Sequence, residues 1–379
     1  MPKNKKHHYV PKFYLRRFSR DKKSICLYNL PKELHVMKAN LRNQCYQDYF
    51  YGKEKTTESA LAGMEGEIAQ LYSLIDEYNS LPPPRSQEHV AMVMSILIQY
   101  GRTKYHADAM DEMHDKMFKH TFRERIESEL KDVNLDDYIV GIKDVAQYSL
   151  GLLTQYYPLL LDLGYKLLVN KTNVEFITSD NPVVMYNLLL SFRKLGSNTG
   201  LSSKGLLIFF PLSPNKLIVM YDDHVYRVGG RAKLVVEVTN QKDVYNLNAL
   251  QACSCYENIY FMNPDQNVAA LHRKIRPLLR ENKSNIKVFP GPREGSQRSE
   301  YIMNYKEDIR FNLTLSFLGL RRSAKEWRSA FQKLRMQPAA IPRNKAFYND
   351  VEEFVESVKK GACCADGFVR FMNKKYGQS

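Results

Sequence analysis

The pattern of apolar and polar positions predicts a helical first half of the chain. Residues 56–79 and 87–120 carry apolar side chains at helical spacing. The prolines within 81–88 separate these two helices, because proline cannot continue a helix. Further helical patterns run over about 121–132 and 141–161. The first half of helix 87–120 is apolar nearly all round, which indicates a buried helix.

Short runs of β-branched and aromatic residues predict strands, most of them in the middle of the chain. Two pairs of runs are each separated by turn-like residues and therefore predict hairpins, 165–170 with 174–179 and 205–213 with 216–222. One further strand is predicted at 24–29, and residues 232–262 mix a strand with a short helix. Helices followed by antiparallel hairpins indicate the α+β class.

The last hundred residues differ in composition from the rest. The stretch 281–300 is rich in glycine, proline, serine and charge and is predicted to be a linker. A basic amphipathic helix follows it, and two more helices are predicted at 347–360 and 365–375. The chain therefore divides into a predicted α+β core domain, residues 1–280, the linker, and a basic helical accessory domain, residues 301–379.

Positive charge is concentrated at the two ends of the chain. Residues 1–23 hold nine basic and one acidic residue, a net +8, and residues 270–379 hold 23 basic and 11 acidic residues, a net +12. The remaining residues, 24–269, carry 24 basic and 29 acidic residues, a net −5. Basic ends around a module of ordinary charge favour a polyanionic partner, and nucleic acid is the expected one.

Other features of the sequence narrow the class of protein. The six cysteines form no CxxC pair, so neither a zinc framework nor a disulfide scaffold is indicated, and a reducing cytoplasm is the expected location. No apolar run is long enough to span a membrane, and we do not expect the protein to bind a membrane. The phosphate-binding, dinucleotide-binding, zinc-protease and serine-hydrolase motifs are missing from the sequence.

A first candidate constellation lies on the predicted helix 56–79. Glu58 and Glu65 are seven residues apart and fall within its apolar face, whereas Glu67 lies off that face. Carboxylates on a core-facing stripe are costly unless they are paired or bind a metal. Arg102, which follows the most apolar helix, is a candidate partner, so the pattern fits a buried ion-pair network as well as a catalytic site.

A second constellation ends the predicted strand 174–179. Asp180 and Asn181 stand before Pro182, which forces Asn181 out of the helical region. Catalytic carboxylates and metal ligands often lie at strand ends. Serine, aspartate, asparagine and proline are also the usual turn residues, so a plain turn explains the same letters.

The third constellation is the N-terminal stretch KNKKHHYVPKFYLRRFS. Its cations alternate with aromatic residues, a combination that suits phosphate contacts and base stacking, with Lys12, Arg16 and Arg17 as candidate substrate-binding residues. His7 and His8 are candidates for a general base or a metal ligand, and as neighbours in an extended segment they point opposite ways. The same apolar residues also predict an arm docked on the core.

Several segments together resemble a known bacterial family. HHYVPKFYLRRF, TESALAGMEGEIA, QYGRT and FITSDNPVV followed by FPLSP occur in the order found in the domain-of-unknown-function 4238 family, over about residues 5–265. The resemblance implies a bacterial cytoplasmic protein with a largely helical first half and assigns no activity. It gives weight to His7, His8, Pro11, Leu15, Phe18, Glu58, Glu65, Arg102, Asp180 and Asn181.

The sequence leads to one main functional hypothesis, a metal-dependent nuclease acting on DNA or RNA in a bacterial defence or toxin-type role. Imidazole with carboxylates suits a divalent metal, Mg²⁺ or Mn²⁺, and a cation steadies the phosphate. In this hypothesis Glu58, Glu65 and Asp180 hold the metal. The remaining roles go to His7 or His8 as base or ligand, Arg102 on the phosphate, and Lys12, Arg16, Arg17 and Asn181 on the substrate.

Two alternatives stay open at this point. One is a non-catalytic nucleic-acid-binding module in which Glu58, Glu65 and Arg102 form a buried structural network. The other is an enzyme that acts on a small phosphorylated substrate. The nuclease hypothesis requires the histidines, the two glutamates and Asp180 to converge within one metal-binding shell.

Overall fold

The structure is a computed structural model of the 379-residue chain. It describes residues 5–377 except 55, 131, 195, 232, 282, 295–296 and 365–366, and it leaves out the side chains of residues 292–299 and 304. Both helices and strands are present, and nearly all strand pairs are antiparallel, so the chain belongs to the α+β class.

Each predicted helical region contains a helix, with different bounds, and the helical pattern predicted at 121–132 is the end of the helix Lys104–Glu129. In chain order they are α1 (Lys12–Leu15), α2 (Thr56–Tyr78), α3 (Gln87–Gly101), α4 (Lys104–Glu129), α5 (Val145–Gln155), α6 (Gln241–Ser254), α7 (Val268–Ile275), α8 (Arg322–Lys333), α9 (Lys345–Lys359) and α10 (Phe368–Tyr376). In the described part of the chain none of them is long and apolar enough to cross a membrane.

The helix predicted over 87–120 is two helices, α3 and α4. The break falls at Arg102, which ends α3, and at Thr103, whose hydroxyl accepts a hydrogen bond from the backbone N–H of His106 and so caps α4. A threonine at this position satisfies an N–H that a new helix leaves unpaired, which favours a restart over a continuous helix. The break places Arg102 at the junction of the two helices.

The strands are mostly short. They are β1 (Lys6–His8), β2 (Ser24–Asn29), β3 (Leu34–Asn40), β4 (Tyr46–Asp48), β5 (Gly164–Asn170), β6 (Thr178–Ser179), β7 (Val184–Tyr186), β8 (Leu207–Ser213), β9 (Lys216–Tyr221), β10 (Tyr226–Val228), β11 (Val235–Val238), β12 (Asn258–Phe261), β13 (Asn285–Glu294), β14 (Gln297–Tyr305) and β15 (Leu318–Leu320).

Two of the five sheets in the described part of the chain form the β framework. The larger sheet has the order β11-β5-β9-β8-β7, and the smaller has the order β3-β2-β12-β6. The predicted hairpin of β8 with β9 is confirmed, whereas the predicted hairpin of 165–170 with 174–179 is wrong. β5 pairs instead with β9 and, in parallel, with β11, while only Thr178 and Ser179 of the second segment form a strand, β6, which pairs with β12.

The larger sheet is buried on both faces. Leu207 and Phe209 point into one hydrophobic cluster, and the alternate residues Ile208 and Phe210 point into another. The second cluster also holds the N-terminal segment, helices α2 and α3, and apolar residues of α9 and α10. Burial on both faces explains why these strands are continuous apolar runs without the alternation of a half-exposed sheet.

The C-terminal region shares both clusters. Ile309, Phe311 and Leu313 belong to the first cluster, and Val351 and Phe354 belong to the second. β15 extends this contact by pairing with β10. The division into a core domain and an accessory domain stays a prediction, and these apolar contacts join the two predicted parts.

The stretch predicted as a linker, 281–300, is largely a β-hairpin. β13 and β14 pair antiparallel, with an irregularity between Pro290 and Arg293. The alternation of Ile286 and Val288 with Lys287 is a strand pattern, and it lies next to the glycine and proline residues that predict a linker. Proline is tolerated here because a two-stranded ribbon leaves one edge of each strand unpaired.

Candidate functional site

The part of the N-terminal stretch that the structure describes, residues 5–19, packs against the core. β1 pairs with β4, and Val10, Leu15 and Phe18 have no exposed surface. Tyr14 donates its hydroxyl hydrogen bond to the Pro211 carbonyl of β8. The prediction that this basic stretch docks on the protein is therefore confirmed.

His7 and His8 point to opposite sides of β1, as expected for neighbours in a strand. His7 is 4% exposed, stacks on the ring of Tyr51, and accepts the Tyr51 backbone N–H at Nδ1 over 3.2 Å. His8 lies beside Tyr46. Burial, with a smaller effect of the Lys12 charge, lowers the pKa of His8 to about 4, so this ring is neutral at pH 7.

Arg102 is the centre of the contacts around the N-terminal stretch. Its guanidinium is buried and donates to three oxygens: the Tyr51 hydroxyl at 3.0 Å, the Glu65 carboxylate at 2.9 Å and the His8 backbone carbonyl at 2.7 Å. These bonds tie α2, α3 and the N-terminal stretch together. The sequence analysis gave a buried ion-pair network as an alternative to catalysis, and the ion pair between Arg102 and Glu65 belongs to such a network.

Glu58 lies near the same group without an ion pair of its own among the described residues. Burial raises the pKa of its carboxyl, and the nearby charges of His7 and Arg102 oppose that rise. We call His7, His8, Glu58, Glu65 and Arg102, with Tyr51 between them, the N-terminal cluster. The structure thus brings together five of the predicted site residues.

Asp180 belongs to a different set of contacts. It lies where the chain passes from β6 in the smaller sheet to β7 in the larger one. Its two carboxylate oxygens accept the backbone N–H groups of Tyr256, Glu257 and Asn258 at 2.8–2.9 Å. Burial raises the pKa of this carboxyl to about 6, and the backbone N–H groups oppose that rise.

Asn181 is also bound by its surroundings. Its side-chain amide donates to the Ser254 carbonyl at 2.8 Å, and it is 1% exposed. Asp180 and Asn181 together hold the turn after α6 against the two sheets. The structure therefore supports the turn explanation of this motif, since no face of either side chain is open to a substrate.

The predicted metal set is not assembled. Among the residues that the structure describes, no three histidine, cysteine, aspartate or glutamate side chains are grouped so that they could hold a metal ion. Glu65 is engaged by Arg102, and the oxygens of Asp180 are engaged by backbone N–H groups. These donors do not fit a divalent metal centre made of Glu58, Glu65 and Asp180.

The predicted substrate-binding cations have mixed surroundings. Arg17 is structural, because its guanidinium pairs with Asp76 at 2.5 Å and donates to the Leu212 carbonyl. Lys12 is half-buried and Arg16 is exposed, and neither takes part in an ion pair within the described part of the chain. Arg16 is the one of the three with its side chain open to solvent.

A larger cavity lies elsewhere, and the sequence did not predict it. Three adjoining cavities have volumes of about 700, 380 and 260 Å³. Each pair of them has a lining residue in common: Glu281 for the first and second, Lys283 for the second and third, and Lys306 for the first and third. We call them together the Lys306 cleft. Its walls come from the start of α4, the segment after β7, and the residues on either side of the β13–β14 hairpin.

Cations outnumber carboxylates in the Lys306 cleft. Arg276 and Arg310 are paired with Glu33 and Glu307. Five other lining cations make no ion pair within 4 Å among the described residues: Arg193, Lys194, Arg280, Lys283 and Lys306. The remaining carboxylates in the lining are those of Glu281 and Asp308, so the cleft keeps a net positive charge.

Tyrosine rings lie beneath several of these cations. The Lys306 ammonium is 4.9 Å from the ring centre of Tyr105 and 5.2 Å from that of Tyr100. The Arg280 guanidinium is 5.3 Å from the Tyr105 ring and donates to its hydroxyl at 2.5 Å. Lys283 lies 5.2 Å from the ring of Tyr256. Cation–π contacts stabilise these charges without neutralising them.

Burial changes the proton affinities in the cleft. It holds the pKa of Lys306 well below its usual range, with a further lowering by the Arg280 charge. It raises the pKa of Asp308 to about 6, and it lowers that of His106 to about 3, where Lys306 adds to the effect. Strongly shifted groups gathered in a cavity are typical of functional sites.

Fold and site together define an α+β protein with a cation-lined cleft and a closed N-terminal ion-pair network. The sequence model of the family described as "Protein of unknown function (DUF4238)" matches residues 6–265. The chain belongs to this family, as the resemblance predicted. A search of curated proteins found no match. A search of solved structures found none either.

Proposed function

We propose that this protein is a nucleic-acid-binding module that holds the phosphate backbone in the Lys306 cleft. The observation that carries the proposal is the set of five cleft cations that have no carboxylate partner among the described residues. Cations that face a cavity without a counter-ion favour an anionic ligand, and lysine and arginine contacts to phosphate supply most non-specific nucleic-acid affinity.

Two further features support this choice. Three of the five cations, Arg280, Lys283 and Lys306, come from the strongly basic C-terminal part of the chain, where residues 270–379 carry a net +12. All six cysteines are free thiols, which suits a protein that works in a reducing cytoplasm with the nucleic acids of the cell. The N-terminal cluster is assigned a structural role, because each nitrogen of its arginine donates to a protein oxygen.

The experiment is a binding titration by fluorescence anisotropy. Hydroxyl-ended single- and double-stranded DNA and RNA of one sequence are titrated with the full chain at several salt concentrations. With four or five phosphates neutralised, log K should fall with log salt at a slope of about −3 to −4. Absence of binding at low salt, or affinity that does not respond to salt, would overturn the proposal.

A second arm tests the nuclease hypothesis on the same samples. The nucleic acids are incubated with the protein in EDTA, in Mg²⁺ and in Mn²⁺, and the products are separated by electrophoresis. The proposal expects intact nucleic acid in all three conditions. Metal-dependent cleavage, which stays a prediction from the sequence, would require a donor set other than Glu58, Glu65 and Asp180.

A further inference from the structure

We propose that the inner part of the Lys306 cleft is a binding site for a phosphate monoester, with Lys306 and Arg280 as its two cationic ligands. The ligand class is a terminal phosphate: the 5′-phosphate of a nucleic-acid strand or the phosphate of a mononucleotide. This inference rests on the proposed function, because it uses the same cleft. In addition to contacts with the phosphate backbone, it proposes that the cleft recognises the end of a strand.

The first support is the position of the two cations. Lys306 and Arg280 lie against the same ring, that of Tyr105, and are close enough for the Arg280 charge to lower the pKa of Lys306. Lys306 lines two of the three cavities, and Arg280 lines the other. The first cavity alone, at about 700 Å³, has room for a nucleotide-sized ligand.

The second support is unused hydrogen-bonding capacity. The Nε atom of Arg280 is buried and has no hydrogen-bond partner in the part of the chain that the structure describes. Among the described residues, the ammonium of Lys306 has a single long hydrogen-bond contact, 3.4 Å to the Tyr100 hydroxyl. Buried donors are rarely left unpaired in folded proteins, so these atoms indicate an acceptor that comes from outside the chain.

The third support concerns the acceptor that the protein does supply. Asp308 is the carboxylate whose charge opposes the lowering of the Lys306 pKa. Its two oxygens accept the backbone N–H of Asn198 at 3.1–3.2 Å. One engaged carboxylate does not balance Lys306, Arg280 and Arg193, all of which act on it electrostatically. A dianionic phosphate monoester supplies two negative charges, whereas a backbone diester supplies one.

The charge state of the site adds a signature that depends on pH. Above pH 7 the Asp308 carboxyl is ionised, His106 is neutral, Arg280 is charged, and burial raises the pKa of Tyr100 to about 12, so that group is neutral too. A phosphate monoester is fully ionised above its second pKa of about 6. Lys306 is then the group whose protonation the ligand changes, because a bound dianion stabilises its ammonium form.

The experiment compares two oligonucleotides that differ in one group. A 5′-phosphorylated and a 5′-hydroxyl strand of the same sequence are titrated against the full chain at pH 7.5 and pH 9.5. A charge-assisted phosphate contact is worth about tenfold to a hundredfold in affinity, so the phosphorylated strand should bind at least about tenfold more tightly at pH 7.5. This preference should shrink as the pH is raised, because burial holds the pKa of Lys306 well below its usual range.

Three variants assign the effect. Lys306→Met should abolish the preference for the 5′-phosphate, and Lys306→Arg should keep it and remove its pH dependence, since arginine stays protonated. Lys38→Met, which removes the same charge from an exposed position on β3, should change neither. Arg280→Met provides a second test should the Lys306 variants fold poorly, which circular dichroism will show.

The outcomes separate this inference from the proposed function. Equal binding of the two strands at both pH values, with normal salt dependence, would overturn the phosphate site and leave nucleic-acid binding intact. Phosphate-dependent binding of AMP and inorganic phosphate without binding of hydroxyl-ended strands would do the reverse. Tighter binding of AMP than of inorganic phosphate indicates a nucleotide ligand, and an additional gain for the phosphorylated strand indicates a strand end.

Discussion

Arg102 in the N-terminal cluster and Lys306 in the cleft are both cations drawn out of water, and their partners differ. Arg102 donates to a carboxylate, a carbonyl and a hydroxyl, all supplied by the chain. Lys306 has two tyrosine rings and one long contact to a hydroxyl. A buried cation that donates hydrogen bonds to several protein oxygens holds the fold together. A buried cation with few such bonds is available to a ligand.

The largest expected effect tests this contrast through stability. Arg102→Met leaves the Glu65 carboxylate and the His8 carbonyl without their donor, so the free energy of unfolding should fall by about 3 kcal/mol or more in urea denaturation. Lys306→Met removes a charge that makes no ion pair within 4 Å among the described residues, and stability should stay within about 0.5 kcal/mol of wild type or rise. Equal losses of unfolding free energy in the two variants would contradict the proposed difference between Arg102 and Lys306.

A milder substitution sharpens the test at Arg102. Glu65→Gln keeps an oxygen that accepts from Arg102 and removes only the negative charge. It should cost about 1 kcal/mol, because the pair is part-exposed and the hydrogen bond survives. A folded, stable Glu65→Gln protein that loses an activity would return the N-terminal cluster to the list of functional sites.

A medium effect is expected on nucleic-acid binding. Arg280→Met should weaken binding of a hydroxyl-ended strand about tenfold at low salt and make the salt slope shallower by about one phosphate. Arg16→Met removes the exposed cation of the N-terminal stretch and should change affinity less than twofold. Anisotropy titrations of both variants decide which basic region contacts the strand, and the reverse order would move the binding surface to the N-terminal stretch.

The smallest effect concerns two histidines, one in each region. Burial lowers the pKa of His8 to about 4 and that of His106 to about 3, so both rings should stay neutral down to pH 5 when followed by NMR. The unfolded chain takes up these protons below pH 6.5 and the folded chain does not, so folded stability falls as pH drops from 6.5 towards 4. Titration of either ring near pH 6.5 would indicate a solvated site.

The sequence predicted what depends on local pattern. Helical spacing placed Glu65 on the buried face of α2, and Arg102 followed a helix too apolar to be exposed, so their pairing was among the stated alternatives. The strand pair β8 and β9 was found for the same reason, because its turn is adjacent in sequence. The failed hairpin at β5 shows the limit: its partners β9 and β11 are distant in the chain, and local turn residues do not encode them.

The Lys306 cleft was missed because no short segment contains it. Tyr100, Arg193, Arg280 and Lys306 come from four separate parts of the chain, and only the folded structure brings them together. The charge excess of the C-terminal region was the available signal. The sequence analysis attributes this charge excess to an accessory domain. In the structure, several of these cations lie against the part of the chain that matches the family.

The apolar residues after position 300 give the family boundary a practical meaning. The family match ends at residue 265, yet Ile309, Phe311 and Leu313 complete a core that includes strands of the matched region. The family match therefore ends before the hydrophobic core does. A protein truncated at the edge of the match would present the uncovered side of its own interior to water, and attempts to produce the family unit alone would yield aggregates.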